Sequence, residues 1–342
     1  MIHCQLSNSV QWVHLMCHHS FSRVALVLAI IVASVTSDLV AADDNKRSTE
    51  PLNQIYDRLT QIHSDLDTIR VYMGRSQHSA AMLNVRDVRA RQIYFQSLVL
   101  YRISQRFAFD HTRLRADPIG QSAIGYAPIL DLANAAHDRL RSVMTLYGMP
   151  SQNVVASRQK VVTEVLVFES VVLAIHKLNG LLDERISPSD VFEQVTVGIG
   201  YTSRILEQTQ PGQVMPETPD FIPDRLPADV YRRLLNCLAI TQRIGQQSGL
   251  PILELDTKEA DVQDVEPGDV LNLASLVVSE IAYIHSLVPN TAPPREVYAV
   301  GRKFPAHVYQ RVGILERQLE RLQSHAQLNP QWLGPASVND SE

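Results

Sequence analysis

Residues 188–191 read Pro-Ser-Asp-Val, and this four-residue pattern returns three times in the later half of the chain. The later copies are Pro227-Ala228-Asp229-Val230, Pro267-Gly268-Asp269-Val270 and Pro305-Ala306-His307-Val308. The copies stand about 39 residues apart, and each precedes a run whose apolar residues recur at helical spacing. The pattern therefore predicts an all-α protein in which a helical repeat array covers residues 184–326, with a period of about 39 residues.

The repeated motif has the composition of a helix start. Proline has no N–H to lose at the first helical position, and an acidic residue two positions later faces the positive end of the helix dipole. The residues of this helix-start pattern are Pro188, Asp190, Pro227, Asp229, Pro267, Asp269 and Pro305. In the last copy His307 replaces the acid, so we expect the dipole term to be lost there, as in a capping unit. A fainter copy, Arg86-Asp87-Val88, is expected to open an earlier helix.

The connectors between the repeat helices are rich in proline. Residues 208–226 contain four prolines and residues 288–304 contain three, so neither connector can be one continuous helix. About eighteen extended residues can run back along a ~30 Å helix, which predicts that successive repeat helices lie parallel. The alternative is a second short helix in each connector, such as Asp256–Asp264 or Arg295–Gly301, which would give a solenoid of helix pairs.

A heptad pattern occupies the predicted helix within residues 43–80. Its apolar positions alternate at spacings of three and four and are Leu52, Ile55, Leu59, Ile62, Leu66, Ile69 and Met73. Such a seam suits either a helix that packs into the protein's own bundle or one that associates with copies of itself as a homo-oligomer.

Residues 81–183 are predicted to form a central helical bundle. Helical spacing of apolar residues marks three stretches, at about 85–109, 120–147 and 155–182. The third is apolar on more than one face and is expected to be central. Residues 327–342, rich in Pro, Asn and Ser, are expected to be a disordered tail.

The first 42 residues have the layout of a secretory signal. Arg23 precedes an apolar run from Val24 to Val35, and small residues and then Asp43 follow. The run is short for a ~30 Å hydrocarbon layer, so we predict cleavage after Ala42 and a periplasmic or secreted protein. An uncleaved anchor is the alternative, and only then would the chain contact a membrane. The mature chain keeps a single cysteine, Cys237, which is expected to be a small buried side chain.

Signatures of chemistry are weak in this sequence. A net charge of −5 gives no reason to expect nucleic acid as a partner. The histidines lack metal-site spacing, and His176 and His285, on apolar helices, are the two that merit inspection as ligands. Ser157 and Lys160 match Ser-x-x-Lys without its partner motifs, and Gly198-Ile199-Gly200 lies inside a repeat helix, where close packing explains it. We predict no catalytic, cofactor or metal residues, and no enzyme.

Aromatic side chains follow the motif valine in three copies, as Phe192, Tyr231 and Tyr309, with Leu271 in the other copy. They are either packing spacers between repeat units or an interaction surface. The resulting expectation is an exported, non-enzymatic helical scaffold or adaptor that binds other proteins. The alternative is a periplasmic helical ligand-binding or sensor domain, for which a deep apolar pocket would be evidence.

Overall fold

The computed structural model describes residues 50–76, 84–115, 124–150, 161–212, 214–255, 264–295, 297 and 301–333. Several predictions lie outside these residues: the signal segment, the Ser157/Lys160 pattern, residues 334–342 of the tail and most of both short connector helices. The structure is 70% helical with almost no strand, so the all-α prediction is confirmed.

The described residues contain eight helices. α1 covers residues 50–72. The others are α2 (Ala90–Thr112), α3 (Tyr126–Leu146), α4 (Glu164–Asn179), α5 (Pro188–Thr209), α6 (Pro227–Gln247), α7 (Pro267–Leu287) and α8 (Pro305–Leu328). Two short strands, β1 (Val85–Arg86) and β2 (Glu254–Leu255), pair antiparallel.

The start predicted at Arg86-Asp87-Val88 is wrong. Asp87 has a φ of 55°, in the left-handed region, so the helix cannot continue through it. Arg86 is instead paired in the β ladder, and α2 begins at Ala90. The expected onset of the tail is also too early, because α8 continues to Leu328 and Trp332 donates a 3.0 Å hydrogen bond to the Ser248 hydroxyl.

The first bundle consists of α1–α4. α2 packs against α3 and α4. α1 contacts α3 through Arg58 with His137 and through Asp65 with Arg141. It contacts α4 through His63 with Ser170 and through Asp67 with Lys177. Residue numbers rise together in both sets, so α1, α3 and α4 run parallel.

The second bundle consists of α5–α8. α5 and α6 each pack against both α7 and α8, so the four helices close into a bundle and do not form an open row. The motif prolines and valines of all four helices line one small cavity of about 10 Å³, so all four helices start at the same end. The parallel orientation expected from the connector lengths is therefore confirmed.

Two extended connectors run back along the outside of the second bundle. Along α8, Gln318, Arg317 and Gln310 donate hydrogen bonds of 2.7–3.0 Å to the carbonyls of Val214, Glu217 and Pro219 respectively. The other connector contacts α5 near both of its ends, where Gln208 donates to the Asn290 carbonyl and the Lys303 N–H donates to the Ser189 hydroxyl. Pro294 approaches α5 at Gly200, where an added Cβ would lie 3.2 Å from the Pro294 Cβ.

Gly198 lies on the interior side of the same helix, where an added Cβ would be 3.2 Å from the Val278 side chain. Close packing thus accounts for both glycines of the Gly198-Ile199-Gly200 segment.

The two bundles pack against each other mainly through α2 and α7. Gln92 contacts Glu280, and Gln96 donates a 3.0 Å hydrogen bond to the Asn272 carbonyl, so these helices run antiparallel. α7 is long and apolar enough to span a bilayer, but 78% of that stretch is buried inside the protein. The starts of α2, α3 and α4 border one cleft, so α2 is parallel to the other helices of the first bundle. The helix ends of the first bundle and the helix starts of the second therefore share one end of the molecule, which we name the motif end.

Candidate interaction surface

Each motif acid accepts a hydrogen bond from the backbone N–H of the residue before the motif proline. Asp190 accepts from Ser187 at 2.7 Å, Asp229 from Leu226 at 3.0 Å and Asp269 from Glu266 at 2.9 Å. This is half of a capping box, and it adds to the dipole term expected from the sequence. Burial raises the pKa of the Asp269 carboxyl.

His307 keeps the same contact. Its Nδ1 accepts the N–H of Phe304 at 3.2 Å, so the last helix start loses the acid without losing the hydrogen bond. The sequence prediction for this copy included only the loss of the interaction with the helix dipole and not the hydrogen bond. The spacing of three residues between donor and acceptor is the signal that would have predicted it.

The aromatic residues after the motif valines all pack in or against the core. Tyr231 is buried, whereas Phe192 and Tyr309 are partly exposed. Lys303 and Arg311 lie over the Phe192 ring, and Arg225 and Arg233 lie over the Tyr309 ring. Phe192 and Tyr309 thus pack at helix junctions and Tyr231 lies in the core, which favours the packing-spacer interpretation.

The heptad residues face the interior of the first bundle. Leu52 is 7% exposed, the next five residues of the seam are at most 1% exposed, and Met73 packs against the core. Self-association through this seam would require α1 to leave the bundle.

The two histidines that the sequence offers as candidate ligands lie in different surroundings. His285 Nε2 lies 3.0 Å from the Ala292 carbonyl oxygen, its ring stands edge-on to Tyr201, and burial lowers its pKa. His176 borders a small cleft that also contains Asp67 and Lys177. In the described parts of the chain, no three His, Cys, Asp or Glu side chains cluster in a way that could hold a metal. Cys237 is fully buried, and burial raises its pKa.

A cleft of about 1180 Å³ opens at the end opposite the motif end. It is bordered by the starts of α2, α3 and α4 and by the segment after α6. Arg91, on its wall, forms a buried pair with Glu280 at 3.0 Å and donates to the Pro251 carbonyl at 2.7 Å. Tyr126 donates to Glu164 at 2.5 Å, and its pKa is raised by burial and by this bond. The cleft is broad and polar, unlike the deep apolar pocket expected of a ligand-binding domain.

Exposed large apolar side chains concentrate at the motif end. Nine of the thirteen in the described residues lie there, and we name them the apolar end face. They are Val71, Tyr72, Leu114, Leu146, Tyr147, Phe221, Ile222, Leu226 and Phe304. Two small clusters are visible within it: Tyr72 lies against Tyr147, and His307 lies between Phe221 and Phe304.

Sequence reasoning missed this face. Its members lie at helix ends and in connectors, outside the periodic apolar stripes of the helices. The signal was an apolar residue directly before a motif proline, as in Leu226-Pro227 and Phe304-Pro305. Such residues are expected to be polar capping residues, and their apolar character indicates another use.

Comparison of the chain with protein-family models, with curated proteins and with solved structures finds no match.

Proposed function

We propose that the protein is an exported, non-enzymatic helical scaffold or adaptor that binds other proteins through the apolar end face. The concentration of exposed apolar side chains at one end is the observation that carries this proposal. Clusters of exposed apolar side chains are costly in water, and soluble proteins retain them mainly where a partner covers them. Aromatic residues, of which the face has four, contribute strongly to protein interfaces.

The architecture supports the same role. We interpret residues 184–326 as one packing unit of about 39 residues used four times. Because the four helices start at one end of a closed bundle, that end offers a broad face on which a partner can bind. We place the protein in the periplasm or outside the cell because of the N-terminal signal pattern. A membrane contact is expected only if that segment stays uncleaved, and a nucleic-acid partner is not expected.

The test compares capture of partner proteins by the wild type and by the double variant Phe221→Ser/Phe304→Ser. Both side chains are exposed, at 48% and 55%, so the fold should survive. The control is Leu328→Ser, because Leu328 is 82% exposed at the opposite end of the second bundle. We expect specific partners to be lost from the double variant only. Equal capture by all three proteins would refute the proposal.

Native mass measurement of the same proteins addresses self-association. A homo-oligomer that dissociates in the double variant would identify the partner at this face as a second copy of the chain. An oligomer that persists in the double variant would be held by another surface.

The polar cleft favours a second candidate, a periplasmic ligand-binding or sensor domain. Its volume of about 1180 Å³ is ample for a small molecule. A bound metabolite that is released by Val165→Trp, a substitution that narrows the cleft, would support this candidate over the adaptor.

A further inference from the structure

Two aromatic residues of the second bundle are held in equivalent cationic clamps. Tyr309 lies under Arg225 and Arg233, whose guanidinium carbons are both 4.5 Å from the ring centroid. We call this the α6/α8 clamp. In this clamp, and in the second clamp described next, the aromatic ring is four residues after a motif proline. One cation lies two residues before the motif proline of the neighbouring helix, and the other lies six residues after it.

The second is the α8/α5 clamp, in which Phe192 lies under Lys303 and Arg311. The Lys303 Nζ is 5.0 Å from the ring centroid and the Arg311 guanidinium carbon is 5.3 Å from it. The repeat unit therefore builds the same arrangement twice on neighbouring helix junctions.

The α6/α8 clamp is electrostatically neutralised. Arg233 pairs with the Glu316 carboxylate at 2.7 Å, and Arg225 lies 3.9 Å from the Asp229 carboxylate. Arg233 also lies directly over Gly313, where any side chain would collide with its guanidinium. Each cation of this clamp thus has a carboxylate beside it, and Asp229 also lies 3.6 Å from Arg232.

The α8/α5 clamp lacks both carboxylates. The position equivalent to Asp229 is His307, and the position equivalent to Glu316 is Ile199. Arg311 instead donates a 3.0 Å hydrogen bond from Nε to the Thr196 hydroxyl. Among the residues that the structure describes, no carboxylate forms an ion pair with Lys303 or Arg311.

Burial supports the same distinction. Arg311 is partly buried, and burial lowers the pKa of its guanidinium. A partly desolvated cation without a counter-charge is unfavourable, and an incoming anion would relieve that cost.

We propose that Lys303 and Arg311 bind carboxylates on an acidic segment of the protein partner. The inference rests on the proposed adaptor function, because Lys303 directly precedes Phe304 of the apolar end face. A carboxylate is the chemistry that the equivalent α6/α8 clamp already uses, through Asp229 and Glu316. Arginine and lysine together suit it, since the guanidinium fork matches a carboxylate and the ammonium adds a mobile point charge.

The direct test is an NMR titration of the full mature chain with a capped tetraglutamate peptide, with inorganic phosphate in a parallel series. We expect the peptide to shift the Arg311 side-chain resonance, and raised salt to weaken binding. Lys303→Gln and Arg311→Gln should each weaken peptide binding about fivefold. Arg225→Gln, in the neutralised clamp, is the matched control and should leave the affinity unchanged.

His307→Asp provides a second arm that keeps both cations. It places an acid where the α6/α8 clamp has Asp229, so peptide binding should weaken as in Lys303→Gln. Equal peptide affinity in the wild type and all α8/α5-clamp variants would overturn the inference. Tighter binding of inorganic phosphate than of the peptide would overturn the carboxylate assignment.

The outcomes for this site and for the adaptor function are separable. If capture still depends on Phe221 and Phe304 while Lys303→Gln and Arg311→Gln have no effect on the peptide or on capture, the adaptor function stands and the carboxylate site is refuted. If the peptide binds as expected but capture does not depend on the apolar end face, the adaptor function at that face is refuted.

Discussion

Both bundles consist of four helices, but they place their charged groups differently. The first holds an ionic cluster in its interior, where Asp65, 1% exposed, lies 2.7 Å from Arg141 and 3.1 Å from His137. In the second, the buried Glu280 pairs with Arg91 of the first bundle across the contact between the two bundles. The other charged side chains of the second bundle that form ion pairs lie at the helix starts and on the outer junctions. The same architecture is therefore built with a buried ionic interior in one half and with repeated local caps in the other.

The two solutions differ in how they tolerate change. A buried ion cluster is sensitive to the loss of any member, because the remaining charges stay in a medium of low polarity. Each helix-start acid acts on its own helix, so removal of one should lower the free energy of unfolding by a small amount, and the effects of several removals should be roughly additive.

The antiparallel packing of the bundles also sets the positive helix ends of one beside the negative helix ends of the other.

Removal of Asp65 should have the largest effect. Asp65→Ala leaves Arg141 and His137 without their carboxylate inside the first bundle, and we expect a loss of about 3 kcal/mol in the free energy of unfolding. Urea unfolding followed by circular dichroism measures it.

The control for Asp65→Ala is Glu316→Ala in the second bundle. Glu316 is paired with Arg233 in a more exposed position, so its loss should cost about 1 kcal/mol or less. Equal losses in the two variants would contradict the proposed difference between the bundles.

Acid should destabilise the first bundle through His63. Burial, and then the nearby Lys177, lower the pKa of His63 from 6.5 to about 4. The folded pKa is below the unfolded one, so stability is full above pH 6.5 and falls as the pH drops toward 4. Between pH 7 and pH 5 this group should cost up to about 2 kcal/mol, measured by urea unfolding at both values.

The variant His63→Gln should remove that part of the pH dependence while other groups titrate as before. His285→Gln is the matched control in the second bundle, because His285 also has a pKa lowered by burial but is more open to solvent. An unchanged difference between pH 7 and pH 5 in His63→Gln would show that His63 is not the sensitive group.

Removal of a helix-start acid should have a moderate effect. Asp229→Ala loses the bond to the Leu226 N–H and the dipole term, which should cost about 1 kcal/mol. Asp220→Ala, in the exposed connector just before, should change the free energy of unfolding by less than about 0.5 kcal/mol. A loss as large as that of Asp65→Ala would mean that the starts do not act separately.

The same contrast explains what the sequence could predict. The starts of α5–α8 were predicted to the residue, because proline and the acid two positions on act locally. The start of α2 was missed because Val85 and Arg86 pair with Leu255 and Glu254, which lie far along the chain. Contacts between residues far apart in the sequence explain three further omissions. They are the Arg91–Glu280 pair, the closure of α5–α8 into a bundle and the α8/α5 clamp without carboxylates. Periodicity predicts which face of a helix is buried, but not which helix covers it.

Restoration of the acid in the last motif should have the smallest effect, and its sign should be opposite. His307→Asp keeps an acceptor for the Phe304 N–H and adds a negative charge at the start of α8, so we expect a gain of about 0.5 kcal/mol. His307→Asn is the control, since it can accept the same bond without the charge and should be close to neutral. If stability falls in His307→Asp, the contacts of the imidazole with Phe221 and Phe304 outweigh the helix dipole, and histidine at this position serves the apolar end face.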